Sequence, residues 1–464
     1  MITNRLSRWT PHFFASALVN FIGAEMLMLA GVTWPAHALG AAGTLITIHL
    51  LVIGWLLLLV LGALFQFVPV MTTLPLASQT AALGCLVAVE GGLLGMIAGF
   101  LGVAGGTPRL AWLLPAGGGA VTIGIAIALW NVGVPLARAR PSSLPGRMVM
   151  TGLAFLVATV TLGLLFAAVL SAPAAMPRLT PILAGVGEHA LSGLGGWFTL
   201  TAMGVSYKLL PMFMLAPEER GALGRGVHLV GAMGFALAVV AGLAAIWRPI
   251  AIVIDIQRIG DVAIGLAVAL YLWDVRRIYR ERRRTAIELH NRAAIGAFAF
   301  LGVALASAAI AAAAHRLGAI APALAFLIVF GWLGGLGITQ LYKIVPFLAW
   351  LVRYGGRLGR GPVPRVQDLV RDRAALPWFI VYGAGVSIAT VAALMRWPTA
   401  FRIGVAPIAV ATIGLAVEYW RAWHATYADA SRPVKPVPPA MPAPPASRET
   451  SLLINRGDRP RWNP

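Results

Sequence analysis

Two histidines stand inside otherwise apolar stretches, His49 in TLITIHLLVIGW and His189 in GVGEHALSGLGGW. A buried imidazole costs about 1 to 3 kcal/mol unless something bonds it, so each ring needs a partner: a metal, a haem iron, or a hydrogen-bonding group on a neighbouring helix. Acids stand in similar surroundings. Glu25 lies midway along one apolar stretch and Glu90 midway along another, and an ionisable group at bilayer depth costs several kcal/mol unless paired or hydrated. Each is a hydrogen-bonded structural acid or a step in a proton or cation path. Asp255, Arg258 and Asp261 recur at three-residue intervals, which puts them on one helical face and permits an internal ion pair. Met26, Met28, Met212 and Met214 could offer thioethers to a metal, but Met in an apolar helix is usually core filler. The single Cys85 builds no thiolate site and reads as a small buried thiol. No phosphate-binding loop, HExxH site or nucleophile-base pair occurs, so no catalytic residue is assigned.

The elements that hold these groups follow from composition. The chain has 464 residues, 59% hydrophobic and 11% charged, a mixture that no water-soluble surface can present. Soluble enzymes, nucleic-acid binders and disordered scaffolds are excluded. Apolar runs of the roughly 20 residues needed to cross a bilayer recur along the chain. They predict twelve transmembrane helices at about 12–34, 40–70, 78–103, 110–136, 148–171, 181–213, 226–247, 250–273, 292–314, 319–352, 377–395 and 402–420. The net charge of +20 falls in the connections. Alternate connections carry Arg138, Arg140 and Arg147; Arg220 and Arg225; Arg276 to Arg284; and Arg353 to Arg373, while the opposite set holds little beyond Arg109, Arg178, Arg248, Arg316 and Arg396. The positive-inside rule then places both termini in the cytoplasm of a bacterial-type inner membrane. Arg5 and Arg8 precede the first span with no small-residue cleavage site behind it, so that span is expected to stay in the membrane. Residues 425–464, rich in proline, are expected to be a disordered cytoplasmic tail.

Three of the expected helices share a motif. Each contains Gly-Trp, and the interval from Trp55 to Pro69, Trp197 to Pro211 and Trp332 to Pro346 is the same fourteen residues. Phe65, Tyr207 and Tyr342 follow ten residues after the Trp, and Gln66, Lys208 and Lys343 eleven after it. Four spans fit within each period, which predicts tandem units of about 12–140, 148–284 and 292–424 within a membrane domain of residues 1–424. With an even number of spans per unit, the repeats share one orientation. The expected fold is therefore an all-α integral membrane protein of three four-helix arcs with pseudo-threefold symmetry about the membrane normal.

At these residues the chain resembles subunit I of the haem-copper oxidase superfamily, nearest to the cbb3-type oxidases and nitric oxide reductases. The resemblance covers the twelve-helix body and implies the three-arc fold, cytoplasmic termini and haem or copper as cofactor. It places His49 where the family has a low-spin haem ligand on the second helix, and His189 where it has a copper ligand on the sixth. On the tenth helix the family's two ligand positions are Leu324 and Phe326, the seventh has no adjacent His pair, and Gly193 stands where a redox-active tyrosine would follow His189. The resemblance thus implies an oxidoreductase relative unsuited to oxygen reduction, holding one haem or metal through His49 or His189. Its role would lie in nitric-oxide response, metal or haem handling, or electron transfer. Its partners would be the lipid bilayer and other membrane or cytochrome subunits, with no nucleic acid. Two readings stand beside it: a secondary transporter or channel using Glu25, Glu90, Asp255, Arg258 and Asp261, and a cofactor-free assembly or scaffold subunit.

Overall fold

The computed structural model describes residues 7–139, 143–218, 221–358 and 363–425; Arg140, Arg220, Arg360 and the expected tail from 426 onward lie outside the described residues. Among the described residues every regular element is helical. The rods are α1 (Thr10–Ala30), α2 (Ala42–Thr72), α3 (Gln79–Ala104), α4 (Leu113–Ala139), α5 (Leu144–Ser171), α6 (186–214), α7 (Gly221–Trp247), α8 (Ala251–Arg280), α9 (Leu289–Ala313), α10 (Leu317–Arg357), α11 (Asp372–Leu394) and α12 (Pro398–His424).

Ten of these rods are long and apolar enough to cross a membrane, a coarser result than the twelve spans expected. The two that fall short, α6 and α8, are helical along the expected segments. Within them, α6 carries Glu188, His189 and Lys208, and α8 carries Asp255, Arg258 and Asp261 before its basic end. Local chemistry sets several boundaries. The Ser78 hydroxyl accepts from Ala81 N and caps α3. Gly31, at φ 75, lets α1 end in a left-handed turn whose N–H returns to Met28 O.

The rods pack in a recurring way. Sequence-adjacent hairpins form between α3 and α4, between α7 and α8, and between α11 and α12. Each hairpin crosses at a pair of glycines, Gly92 with Gly117, Gly234 with Gly260 and Gly385 with Gly404, where the backbones come too close for any Cβ. In a membrane, where lipid is as apolar as leucine, such close approach is what makes helix association favourable. The rods α1, α5 and α9 pack against α2, α6 and α10, and α4, α8 and α12 pack against α5, α9 and α1. The last contact closes the ring of helices.

In the centre lie α2, α6 and α10, with α10 touching both others. All three leave α-geometry along their Gly-Trp segments and wind as π-helix over Leu50–Leu57, Leu191–Thr199 and Leu327–Gly334. Trp55, Trp197 and Trp332 are 0%, 1% and 0% exposed. Each motif glycine admits a side chain from the preceding rod: Asn20 of α1 against Gly54, Phe155 of α5 against Gly196, and Phe300 of α9 against Gly331. A Cβ there would stand 2.4 to 2.8 Å from the incoming side chain. The motif therefore works by pairing a notch for the neighbouring rod with a large ring for the core.

Candidate functional site

His49 ends the α-helical turn of α2, at the point where the π-helical segment begins. Its Nδ1 bonds the Leu45 carbonyl at 2.8 Å, one turn back in its own helix, and Phe100 of α3 lies 4.6 Å from its ring. A hydrogen bond from Nδ1 to a backbone carbonyl fixes the tautomer that leaves Nε2 with its lone pair, which is how metal-binding histidines are held. His189 occupies the matching place on α6, immediately before the π-helical segment. Phe166 stands edge-on to it at 5.4 Å, and Gly163 lets its ring approach α5. Among the described residues its buried Nδ1 has no hydrogen-bond partner, and the Thr159 backbone of α5 lies within reach of the ring. The two histidines thus stand at matching places on two of the central rods, each at the start of its π-helical segment.

The tenth-helix positions are filled. Phe326 stacks on Phe330 at 4.6 Å and meets Phe401 at 5.3 Å. Phe330 in turn lies against Phe21, which stacks on Trp55 at 4.5 Å. This aromatic column joins α1, α2, α10 and α12 and offers no ligand atom.

The acids of the expected polar path are held separately. Glu25 is fully buried and accepts from the Thr412 hydroxyl at 2.8 Å, tying α1 to α12, while among the described residues its second oxygen has no partner. Glu90 accepts from Asn20 Nδ2 at 2.9 Å, tying α3 to α1. The absent Cβ of Gly54 makes room for Asn20, so the motif glycine indirectly fixes Glu90. Asp255 and Arg258 form the ion pair that their spacing allows, at 3.1 Å, with both side chains pointing out of the bundle. Asp261 is exposed beside them. Among the described residues no hydrogen bond or ion pair joins Glu25, Glu90 and the Asp255–Asp261 face.

One charged cluster was not singled out from sequence. It lies at the end carrying the basic connections, beside a cavity of about 370 Å³ lined by Arg284, Glu288, His290, Tyr342 and Lys343, among others. Glu288 bonds both Arg284 and Lys343, and Gln367 reaches it at 3.3 Å. Arg284 also bonds the Phe213 carbonyl that ends α6. One carboxylate thus links the α8–α9 connection to α6, α10 and the α10–α11 connection. Burial alone would push the Glu288 carboxyl up, but the Lys343 ammonium, with His290 and Arg284, outweighs it and holds the group below the usual carboxylate range. The repeat position of Lys343 was visible in the sequence; its partner, in a polar connection without periodicity, was not.

Among the described residues no three His, Cys, Asp or Glu side chains are grouped to hold a metal ion. No protein-family model matches the chain, and no curated protein matches it.

Proposed function

We propose that this polytopic membrane protein has the three-arc architecture of haem-copper oxidase subunit I and holds a single haem or metal through His49 or His189. The carrying observation is the pair itself. The two imidazoles stand at the start of the π-helical segments of two central rods; His49 is oriented by the Leu45 carbonyl, and among the described residues the buried Nδ1 of His189 has no hydrogen-bond partner. Two imidazoles fall short of the three or four ligands of a tight copper or zinc site. A haem brings its own ring nitrogens, so His49 or His189 would be enough to hold it. A haem there would supply one-electron or small-gas chemistry in nitric-oxide response, haem handling or electron transfer. The chain's own residues orient the rings and surround them with Phe100 and Phe166, which keep water away.

The three-arc reading is supported by three recurrences at matching places: the Gly-Gly hairpins, the π-wound Trp segments, and the contact of each fourth rod with the next first rod. The basic connections favour a bacterial-type inner membrane with both termini cytoplasmic. The test is the absorption spectrum of the full chain purified from a haem-replete host, with haem and metal quantified. A Soret band or bound metal lost in His49→Ala or in His189→Ala, with the size-exclusion profile unchanged, supports the reading. A colourless, metal-free parent, or variants that keep the band, overturns it in favour of a cofactor-free scaffold or a transporter.

A further inference from the structure

The charged cluster at the basic end borders a cavity of about 370 Å³, a volume typical of small-molecule sites. Its lining comes from the α8–α9 connection, the first turn of α9, from α10 and from the α10–α11 connection. Ile287, Pro346 and Val370 supply apolar lining, and Arg284, Glu288, His290 and Lys343 supply polar lining. The topogenic role of basic connections accounts for arginines here. It does not account for a buried imidazole among them.

Glu288 does not exhaust the donors around it. It accepts from Arg284 Nη1 and from Lys343 Nζ, so two cations face one carboxylate with one positive charge in surplus. Arg284 spends the same Nη1 on the Phe213 carbonyl. Among the described residues its Nε and Nη2 make no side-chain bond, which leaves one edge of the guanidinium fork for an oxyanion. Asp372 also lines the cavity, but it is exposed at the start of α11 beside Arg373 and accepts the Tyr342 hydroxyl at 3.0 Å.

His290 makes a different demand. It is 2% exposed, and Phe213 stands edge-on to its ring at 4.9 Å. Its Nδ1 lies 3.4 Å from Glu288 Oε2, and a carboxylate at that nitrogen fixes the hydrogen there and leaves Nε2 as an acceptor. Nε2 is buried and has no partner among the described residues. A ligand that brings an O–H to it makes the hydrogen bond that the folded chain leaves unmade. The charged groups facing the ring are Glu288 and Arg284 of the connection and Lys343 of α10.

One surplus positive charge beside one acceptor without a donor describes the occupant: a single negative charge and an O–H on the same group. A phosphate monoester that carries one proton has both. A phosphodiester, a sulfate ester and a simple carboxylate have the charge without the O–H. The first turn of α9 contributes Leu289 and His290 to the wall, and a helix N-terminus further favours phosphate.

We infer that this cavity binds a phosphate monoester, its oxygens taken by Arg284 and Lys343, its P–O–H given to His290 Nε2, and its apolar body set against Ile287, Pro346 and Val370. The monoester is a soluble metabolite or a lipid headgroup, since both offer the same group. The site is independent of any haem or metal at His49 or His189.

The test titrates the full chain, in nanodiscs of zwitterionic lipid, with n-butyl phosphate and with n-butyl sulfate, which matches its shape but carries no proton; calorimetry reads binding. At about pH 6, near the second phosphate pKa, the phosphate is expected to bind at least tenfold more tightly than the sulfate. Its affinity should fall at least tenfold by about pH 8, where the protonated form is scarce, while that of the sulfate stays level. His290→Phe should reduce the phosphate to the level of the sulfate, and Lys343→Gln should weaken both at least tenfold. Arg282→Gln, an exposed arginine of the same connection, should change neither. Nanodiscs containing phosphatidic acid separate the two sources: a raised melting temperature that phosphatidylglycerol does not reproduce and butyl phosphate does not add to assigns the lipid headgroup, and no rise assigns a soluble ligand. Equal binding of phosphate and sulfate, no binding of either, or an equal loss in Arg282→Gln and Lys343→Gln overturns the inference. Size-exclusion profiles identical to the parent establish that each variant is folded.

Discussion

Replacing Gly117 by Ala tests whether the glycine crossings hold the hairpins together. A Cβ at Gly117 would stand 2.5 Å from the Gly92 carbonyl oxygen and the Met96 nitrogen, and 2.8 Å from the Gly95 carbonyl carbon. All three are backbone atoms, so no rotamer change relieves the clash. Ordinary contact begins at 3.4 Å, and α3 and α4 must therefore separate by about 0.9 Å. A gap of that size forfeits about a quarter to a half of the dispersion energy of the atoms facing across it. Val89, Met96, Leu114 and Val121 lie at or beside this crossing and are all buried. The expected loss is about 2 kcal/mol, within the range of about 1 to 3 kcal/mol for overpacking, reduced by the better helix propensity of Ala. Gly119, on the same rod, meets nothing within 4 Å, so Gly119→Ala should be neutral or mildly stabilising. Thermal unfolding in detergent, followed by fluorescence-detected size exclusion, compares the two. Gly260→Ala and Gly404→Ala, whose added Cβ atoms would stand 2.5 Å from Ala238 N and Ala389 N, should repeat the Gly117→Ala penalty. Equal melting temperatures for Gly117→Ala and Gly119→Ala would refute the reasoning.

Glu288 is charged in the folded chain at a pH where its unfolded counterpart is protonated. Its contribution is fully present above the ordinary value of 4.5 and is lost as pH falls through the lowered folded value. Glu288→Gln should therefore lower stability at neutral pH and flatten the acid limb of a melting-temperature profile as pH falls below the ordinary carboxylate value; an unchanged acid limb would argue against the cluster. Thr412→Val removes the donor to Glu25 and should cost about 1 to 3 kcal/mol, with Glu25→Leu in the same background recovering part of it, both read by thermal unfolding. A periplasm-dependent reporter enzyme fused after Trp423 should be silent if the basic connections are cytoplasmic, whereas activity would reverse the assigned orientation.

Composition and local patterning were enough to place this chain in a membrane and to locate its helices, because an apolar run and a Ser, Gly or Pro boundary act within a few residues of themselves. The Gly-Trp repeat was also legible, since its fourteen-residue interval to proline lies within one rod. What the glycine is for was not: the notch at Gly54 has meaning only with Asn20 beside it, and Asn20 only with Glu90 beyond. Glu25 illustrates the same limit, because its donor Thr412 lies 387 residues away and a single sequence carries no record of that meeting. The spacing of Asp255 and Arg258 foretold their ion pair, but only packing decided that the pair faces outward. The apolar runs located α6 and α8 as helices, but their polar groups leave both short of the apolar length the other ten reach. Partner choice among helices rests on shape and on which surfaces the closed ring brings together, and that information exists only once the rods have assembled.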